Sequence, residues 1–373
     1  MKELARFSIG IGDRFGMQGQ AQLQALADAR NLGCTIIPVW NKSYREHSII
    51  HTDPSQVREE ADRAVAALGW KDPYHVDADH ISLKTVDLFL DYSDFFTLDV
   101  ADYTGKPAEE ASIARFVNKY RNRIGHLSIP GIDEGLEITE ATLLTIARKY
   151  LLAVQEAGKL YRYIAEKKGA ENFITEVSMD ETDQPQGPLD LFFILAMIAD
   201  EGIPAQTIAP KFTGRFNKGV DYAGNLAQFE KEFNEDILVI AYAVKEFGLL
   251  KNLKLSVHSG SDKFSIYPII KKAIHTHHAG LHLKTAGTTW LEELIGLASA
   301  GGSGLSIAKR IYREAFHRFD ELCAPYATVI DIKRDKLPEP DLVDSWDGET
   351  YAATLRHVEH HPQYNPHFRQ LLH

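Results

Sequence analysis

An apolar run stops on an imidazole and passes into small turn residues at Leu253–Lys263, LKLSVHSGSDK, where His258 is followed by Ser259, Gly260, Ser261 and Asp262. Histidine is a metal ligand and a proton carrier near neutral pH, and an adjacent glycine leaves the backbone open to a ligand. The punctuation recurs along the chain. Tyr74–Asp77 runs out into Asp79-His80, Phe95–Leu98 into Asp99, Phe173–Val177 carries Glu176, Gln206–Pro210 ends in Lys211 and Leu281–Leu283 in Lys284. His80, Glu176 and His258 offer two imidazoles and a carboxylate, a donor set that suits a catalytic Zn²⁺ with an open position and also accepts Mn²⁺, Co²⁺ or Ni²⁺. Asp77 and Asp79 are further ligands or partners of ligands. Arg14, Lys211 and Lys284 could meet an anionic substrate, arginine by a bidentate fork and the lysines as point charges. Either lysine could instead form a Schiff base with a ketone.

These residues need elements that bring them to one place. Short apolar runs at Phe7–Gly10, Cys34–Val39, Tyr74–Asp77, Phe95–Leu98, Phe173–Val177, Gln206–Pro210, Leu253–Val257 and Leu281–Leu283 alternate with helical patterns. The helices include Gln18–Arg30, Ser55–Ala67 behind an Asp53-Pro54 cap, Leu189–Glu201, Tyr222–Phe247, Tyr267–Thr276 and Thr289–Ala300. Eight such units predict an α/β fold of the (β/α)₈ TIM-barrel kind, with an open doubly wound sheet as the rival. Both put ligands at the carboxyl ends of the strands. We expect one domain over residues 1–373, a strandless helical insertion at about 103–168 and a helical C-terminal extension at about 333–373 covering a barrel face or a subunit contact. His80, Glu176 and His258 then fall on runs three, five and seven, whose inward positions share a layer. The cluster His275-Thr276-His277-His278 resembles a metal site in composition but falls at a helix C-terminus, where histidine interacts with the last carbonyls.

Composition narrows the partners. Apolar residues make up 44% and charged residues 25%, values that allow a sizeable core. A formal charge of −11 disfavours nucleic acid and anionic membranes as partners. Cys34 and Cys323 are the two cysteines, far apart and without CxxC spacing, as in a reducing compartment. No signal-peptide pattern or membrane-spanning run is present, so the expected location is the cytoplasm and the expected partner a small molecule, with a homo-oligomer possible. There is no Walker loop, and Gly10-Ile11-Gly12 lacks the third glycine of a dinucleotide fingerprint.

The rim segments Asp79-His80, Val257-His258-Ser259-Gly260-Ser261 and Lys284–Trp290 resemble those of class II, metal-dependent aldolases, with Ser259 replacing the first glycine of a His-Gly-Gly-Ser segment. Over nearly its full length the chain is similar to the tagaturonate epimerases. The similarity runs through SIGIGDRFGMQG at Ser8–Gly19, HVDADHISLKTVD at His75–Asp87, FITEVSMDET at Phe173–Thr182 and APKFTGRFNKGVDY at Ala209–Tyr222. The resemblance implies a metal-dependent isomerase of hexuronate catabolism that interconverts D-tagaturonate and D-fructuronate, with Asp79 transferring the proton and His80, Glu176 and His258 holding the metal. Ser259, Asp262 and Thr285, with the three cations above, complete the expected substrate contacts. The inverted carbon lies β to the ketone, so retro-aldol cleavage and re-addition is the expected route. A metal-dependent aldolase or hydrolase acting on a sugar acid, and a non-catalytic sugar-acid-binding subunit, remain alternative readings.

Overall fold

The computed structural model of the chain describes residues 2–373 apart from Glu134, Glu181, Asp183, Ala286, Thr288 and Thr328. Eight parallel strands close into a barrel: β1 (Phe7–Ile11), β2 (Ile37–Ser43), β3 (His75–Ile81), β4 (Phe95–Asp99), β5 (Ile174–Ser178), β6 (Ala205–Ala209), β7 (Lys254–Val257) and β8 (Leu281–Lys284). β8 closes on β1, with Phe7 opposite Leu281 and Gly10 opposite Lys284. Closure decides for the barrel over the open sheet.

The strands read as continuous apolar runs because both of their faces are covered. Every position of β2, β5, β6 and β7 is buried. On the outside, Phe96, Leu98, Val177, Ile208 and Val257 share one large core with the apolar helix Pro188–Asp200. On the inside, alternate positions are polar: Lys284 of β8 reaches Asp77 of β3, Thr97 of β4 and Glu176 of β5 across the barrel. Local signals hold where they were strong. Asp53 caps the helix Pro54–Leu68 by accepting from the Ser55 N–H, and Gly69 ends it at φ 59°.

One expectation is corrected. The interval between β4 and β5 is not strandless, because Gly125–Leu127 pairs antiparallel with Leu136–Ile138 between the helices Glu110–Tyr120 and Glu140–Lys168. Arms of three residues are too short to show a two-residue period. Backbone pairing forms them, helped by His126 and Glu137 facing each other at 3.1 Å.

After β8, helices Thr289–Ser299 and Gly302–His317 and the tail helices Gly348–Leu355 and Pro366–Leu372 form a second core around Leu294, Tyr312, Tyr351 and Phe368. The tail reaches the barrel mouth through Arg369, which is 1% exposed. Its guanidinium donates to the Gly219 and Leu355 carbonyls and pairs with Asp262 at 3.1 Å. Among the described residues no helix is long and apolar enough to cross a membrane.

The β1–β8 seam is tight: a Cβ on Gly280 would stand 2.6 Å from the Arg6 carbonyl oxygen, which accepts the Leu281 N–H at 2.9 Å. Gly280→Ala is expected to cost about 1–3 kcal/mol by overpacking, read as a melting temperature lower by a few degrees. An unchanged melting temperature would show that the seam gives way freely.

Candidate active site at the barrel mouth

A regular strand sends neighbouring side chains to opposite faces, yet Asp79 and His80 both line the mouth. Two features of β3 account for this. Its register with β4 slips between Ala78 and Ile81, and His80 adopts φ 50°. Ser259 and Asp262, just after β7, take φ 49° and 61°. Left-handed backbone costs a non-glycine residue roughly 1–2 kcal/mol. Such strain persists where the surroundings fix the chain, and it gathers at functional sites.

Beneath the mouth lies one buried ammonium among carboxylates. Lys284 Nζ stands 2.8 Å from Asp77, 2.8 Å from Asp79 and 3.1 Å from Glu176, and donates to Thr97 Oγ1 at 2.6 Å. Burial alone would lower the Lys284 pKa, but the three acids raise it well above the ordinary lysine value. Burial also opposes ionisation of Asp79, and Lys284, then His80, nevertheless hold its carboxyl well below the usual range. Asp77 lies deeper, and its burial pushes it up to about 7 against the pull of Lys284. This arrangement weighs against two of the expected roles for Lys284. An ammonium held this firmly has no lone pair for a Schiff base, and a fourth carboxylate, from substrate, would meet three already present.

His258 has one ring nitrogen toward each of two acids. Its Nε2 is 2.8 Å from Glu176 Oε1, and its Nδ1 is 3.1 Å from Asp180 Oδ1 without the alignment of a hydrogen bond. Burial would lower its pKa, but Asp180 and Glu176 raise it to about 9. His80 stacks edge-on against His258 with ring centres 5.2 Å apart. Its Nε2 lies 3.6 Å from Asp79 and its Nδ1 3.5 Å from Asp99, and these acids overcome burial to raise its pKa to about 10.

The group whose donor atoms converge is His80, Asp180 and His258, all within 4.8 Å of one another. The buried Nδ1 atoms of both histidines lack hydrogen-bond partners, so two imidazoles and a carboxylate fit a divalent cation. Glu176, expected as the third ligand, stands behind His258, and its other oxygen accepts from Thr207 at 2.7 Å. A carboxylate in that place fixes the orientation and tautomer of a ligating imidazole. Asp180 was overlooked because it follows β5 in a loop, where periodicity is silent. Its one signal was its place within FITEVSMDET.

Arg14, Ser259, Lys284 and Thr285 line the mouth, a cavity of about 60 Å³. Thr285 Oγ1 accepts from the Gly12 N–H at 3.0 Å, which ties β8 to the β1 loop. Ala286 and Thr288 of the same segment lie outside the described residues. Lys211 lies in an adjoining cavity of about 320 Å³ that shares Asp180, Lys218, His258 and Ser259 with the mouth. Asp262 is corrected as a substrate contact: it turns to Arg369 and to His357 of the tail and lines neither cavity. Arg45, Lys218 and Tyr326 line the mouth and escaped the sequence reading.

A closed barrel that gathers buried acids and paired imidazoles at the carboxyl ends of its strands has the make-up of an enzyme's active site. The comparisons narrow this to the carbohydrate epimerases. A family model described as tagaturonate epimerase matches residues 2–373, and the chain belongs to that family. A Thermotoga maritima protein named tagaturonate/fructuronate epimerase is 30% identical over 354 residues, covering 92% of this chain and 69% of its own length. The native crystal structure of a fructuronate-tagaturonate epimerase from Cohnella laeviribosi superposes with a TM-score of 0.77 at 26% identity, covering 98% of this chain and 71% of the other. Its complex with two glycerols gives a TM-score of 0.78 at 25% identity, with coverages of 100% and 73%.

Lys284→Met leaves buried carboxylates without their counter-charge. The variant is expected to lose about 3–5 kcal/mol of stability, measured by denaturant unfolding at pH 8. The carboxyls' folded pKa values then rise above their unfolded ones, so the deficit shrinks as pH falls toward 5. A deficit that is constant or grows on acidification would refute the ion-pair account. Borohydride added with a ketose acid should trap no adduct on Lys284, as intact-mass measurement would check.

Proposed function

We propose that the chain interconverts D-tagaturonate and D-fructuronate with a divalent cation held by His80, Asp180 and His258. Membership of the tagaturonate epimerase family across residues 2–373 carries this reading, and the donor triad supports the cation. Zinc suits the ligands, and Mn²⁺, Co²⁺ or Ni²⁺ would use the same set. The bound ion would supply Lewis-acid polarisation of the substrate ketone.

The inverted carbon carries a hydroxyl and lies β to the ketone, so its own hydrogen is not acidic. Inversion therefore proceeds by cleavage of the bond to its neighbour on the ketone side, rotation of the resulting aldehyde and re-addition to its other face. Asp79, ionised and at the mouth, takes the hydroxyl proton as the bond breaks and returns it on re-addition. Lys284 holds the Asp79 carboxylate in place at 2.8 Å. Asp77, pushed up to about 7, can keep a proton beneath the same ammonium at neutral pH. Glu176 orients His258.

The test is incubation of the purified protein with D-fructuronate and metal, followed by separation of the two ketohexuronates. Conversion to a mixture is expected. Unchanged sugar would leave a binding subunit, and loss of sugar without the epimer would leave a cleaving aldolase. Asp79→Asn should lower kcat by about 10²–10⁴, and His80→Ala and His258→Ala should each lower the metal content.

Metal uptake also has a predicted pH course. The imidazoles of His80 and His258, raised to about 10 and about 9, must lose protons to act as ligands. Affinity for Zn²⁺ or Mn²⁺, measured by competition with a chelator, should therefore rise between pH 7 and 9. An affinity flat over that range would exclude these histidines as ligands.

A further inference from the structure

We propose that Arg45 and Lys218, set against the ring of Tyr326, and Arg14, which lines the same mouth, form the cradle for the substrate's carboxylate and so select sugar acids; this rests on the hexuronate reading above. The mouth is lined by the acids Glu46, Asp79 and Asp180 and, beside them, by Arg14, Arg45 and Lys218, a local gathering of cations although the chain as a whole carries a charge of −11.

Each comes from a different element, and each is anchored through its backbone. Arg45 lies in the first turn of the helix Tyr44–Ile50, whose start is set by a capping box between Ser43 and Glu46. Lys218 lies in the loop after β6, and its N–H donates to the Val329 carbonyl at 3.0 Å. Arg14 follows β1; Lys42 Nζ donates to its carbonyl at 2.9 Å, and its Nε is buried without a hydrogen-bond partner.

Tyr326 brings Arg45 and Lys218 together. It closes the short turn Ala324–Tyr326, and the Arg215 guanidinium donates to the Ile330 carbonyl just beyond at 2.7 Å. The Arg45 guanidinium carbon stands 5.4 Å from the Tyr326 ring centre, and Lys218 Nζ stands 6.0 Å from it. The ring holds both cations at the mouth. A carboxylate entering there gains charge-assisted hydrogen bonds from them, which a neutral ketose cannot do. With the acid end held there, the ketone end falls toward Asp79 and the imidazoles.

The experiment is steady-state kinetics on D-fructuronate over a range of ionic strength. Arg45→Ala and Lys218→Ala should each raise KM by about tenfold or more, with kcat within about threefold of the unmodified enzyme. The KM of the unmodified enzyme should rise with salt, and that rise should flatten in Arg45→Ala. Tyr326→Ala should raise KM, whereas Tyr326→Phe, which keeps the ring, should not. KM values unchanged in Arg45→Ala and Lys218→Ala, a loss confined to kcat, or a larger KM effect from Lys211→Ala would overturn the cradle. Should the unmodified enzyme not turn over fructuronate, the same variants are compared by calorimetric binding of that sugar. Binding that depends on Arg45 would then sink the epimerase reading and leave the cradle standing, and binding indifferent to Arg45 would sink both.

Discussion

One ammonium inside the barrel governs the arrangement of this protein. Lys284 stands among Asp77, Asp79 and Glu176 and is the strongest charge partner of each. A buried unpaired charge is driven to neutralise itself, and the ammonium, with His80 beside Asp79 and His258 beside Glu176, opposes that drive. The same ammonium draws β3, β4, β5 and β8 together, so structural cohesion and proton chemistry share one ion. The histidines extend the alternation of sign upward: carboxylate, imidazole and carboxylate follow one another from Glu176 through His258 to Asp180.

The mouth owes its shape to departures from regular structure. A strand offers every second residue to the barrel interior, which would have given the mouth Asp79 or His80 but not both. The slipped register and left-handed His80 place two consecutive functional groups on one opening. Positive-φ residues after β7 likewise turn the chain abruptly once His258 has been delivered. The strain at these residues is met by the packed barrel around them, which is why it can be kept where chemistry needs it.

The fold was legible because strand and helix periodicities are strong in buried parallel sheets, and all eight strands were found within a few residues of their observed ends. β2 shows the limit: its run was placed at Cys34–Val39, yet the strand continues through the polar Asn41, Lys42 and Ser43, which are buried at the barrel rim. In the site, residues at strand ends were accessible to the same logic, hence Asp79, His80, Glu176 and His258. What the logic lacked was depth along the barrel axis. Glu176 is fully buried behind His258, and only coordinates separate a group whose donor atom joins a cluster from one that steadies its neighbour. Asp180, Lys218 and Tyr326 lie in loops or short turns and Arg45 in the first turn of a seven-residue helix, whose positions depend on tertiary contacts that no periodic pattern encodes.

The tie made by Arg369 has a consequence for how the molecule is made. Its guanidinium fastens the loops after β6 and β7 through Gly219 and Asp262. A ribosome delivers the chain from its amino end, so every barrel strand has emerged before this fastening arrives. Until then the nascent barrel can close its sheet by pairing β8 with β1 while its opening stays unlatched. The tie between these loops is thus made later than the sheet itself, and a chain stalled between β8 and Arg369 would be a closed barrel whose loops after β6 and β7 are still unfastened.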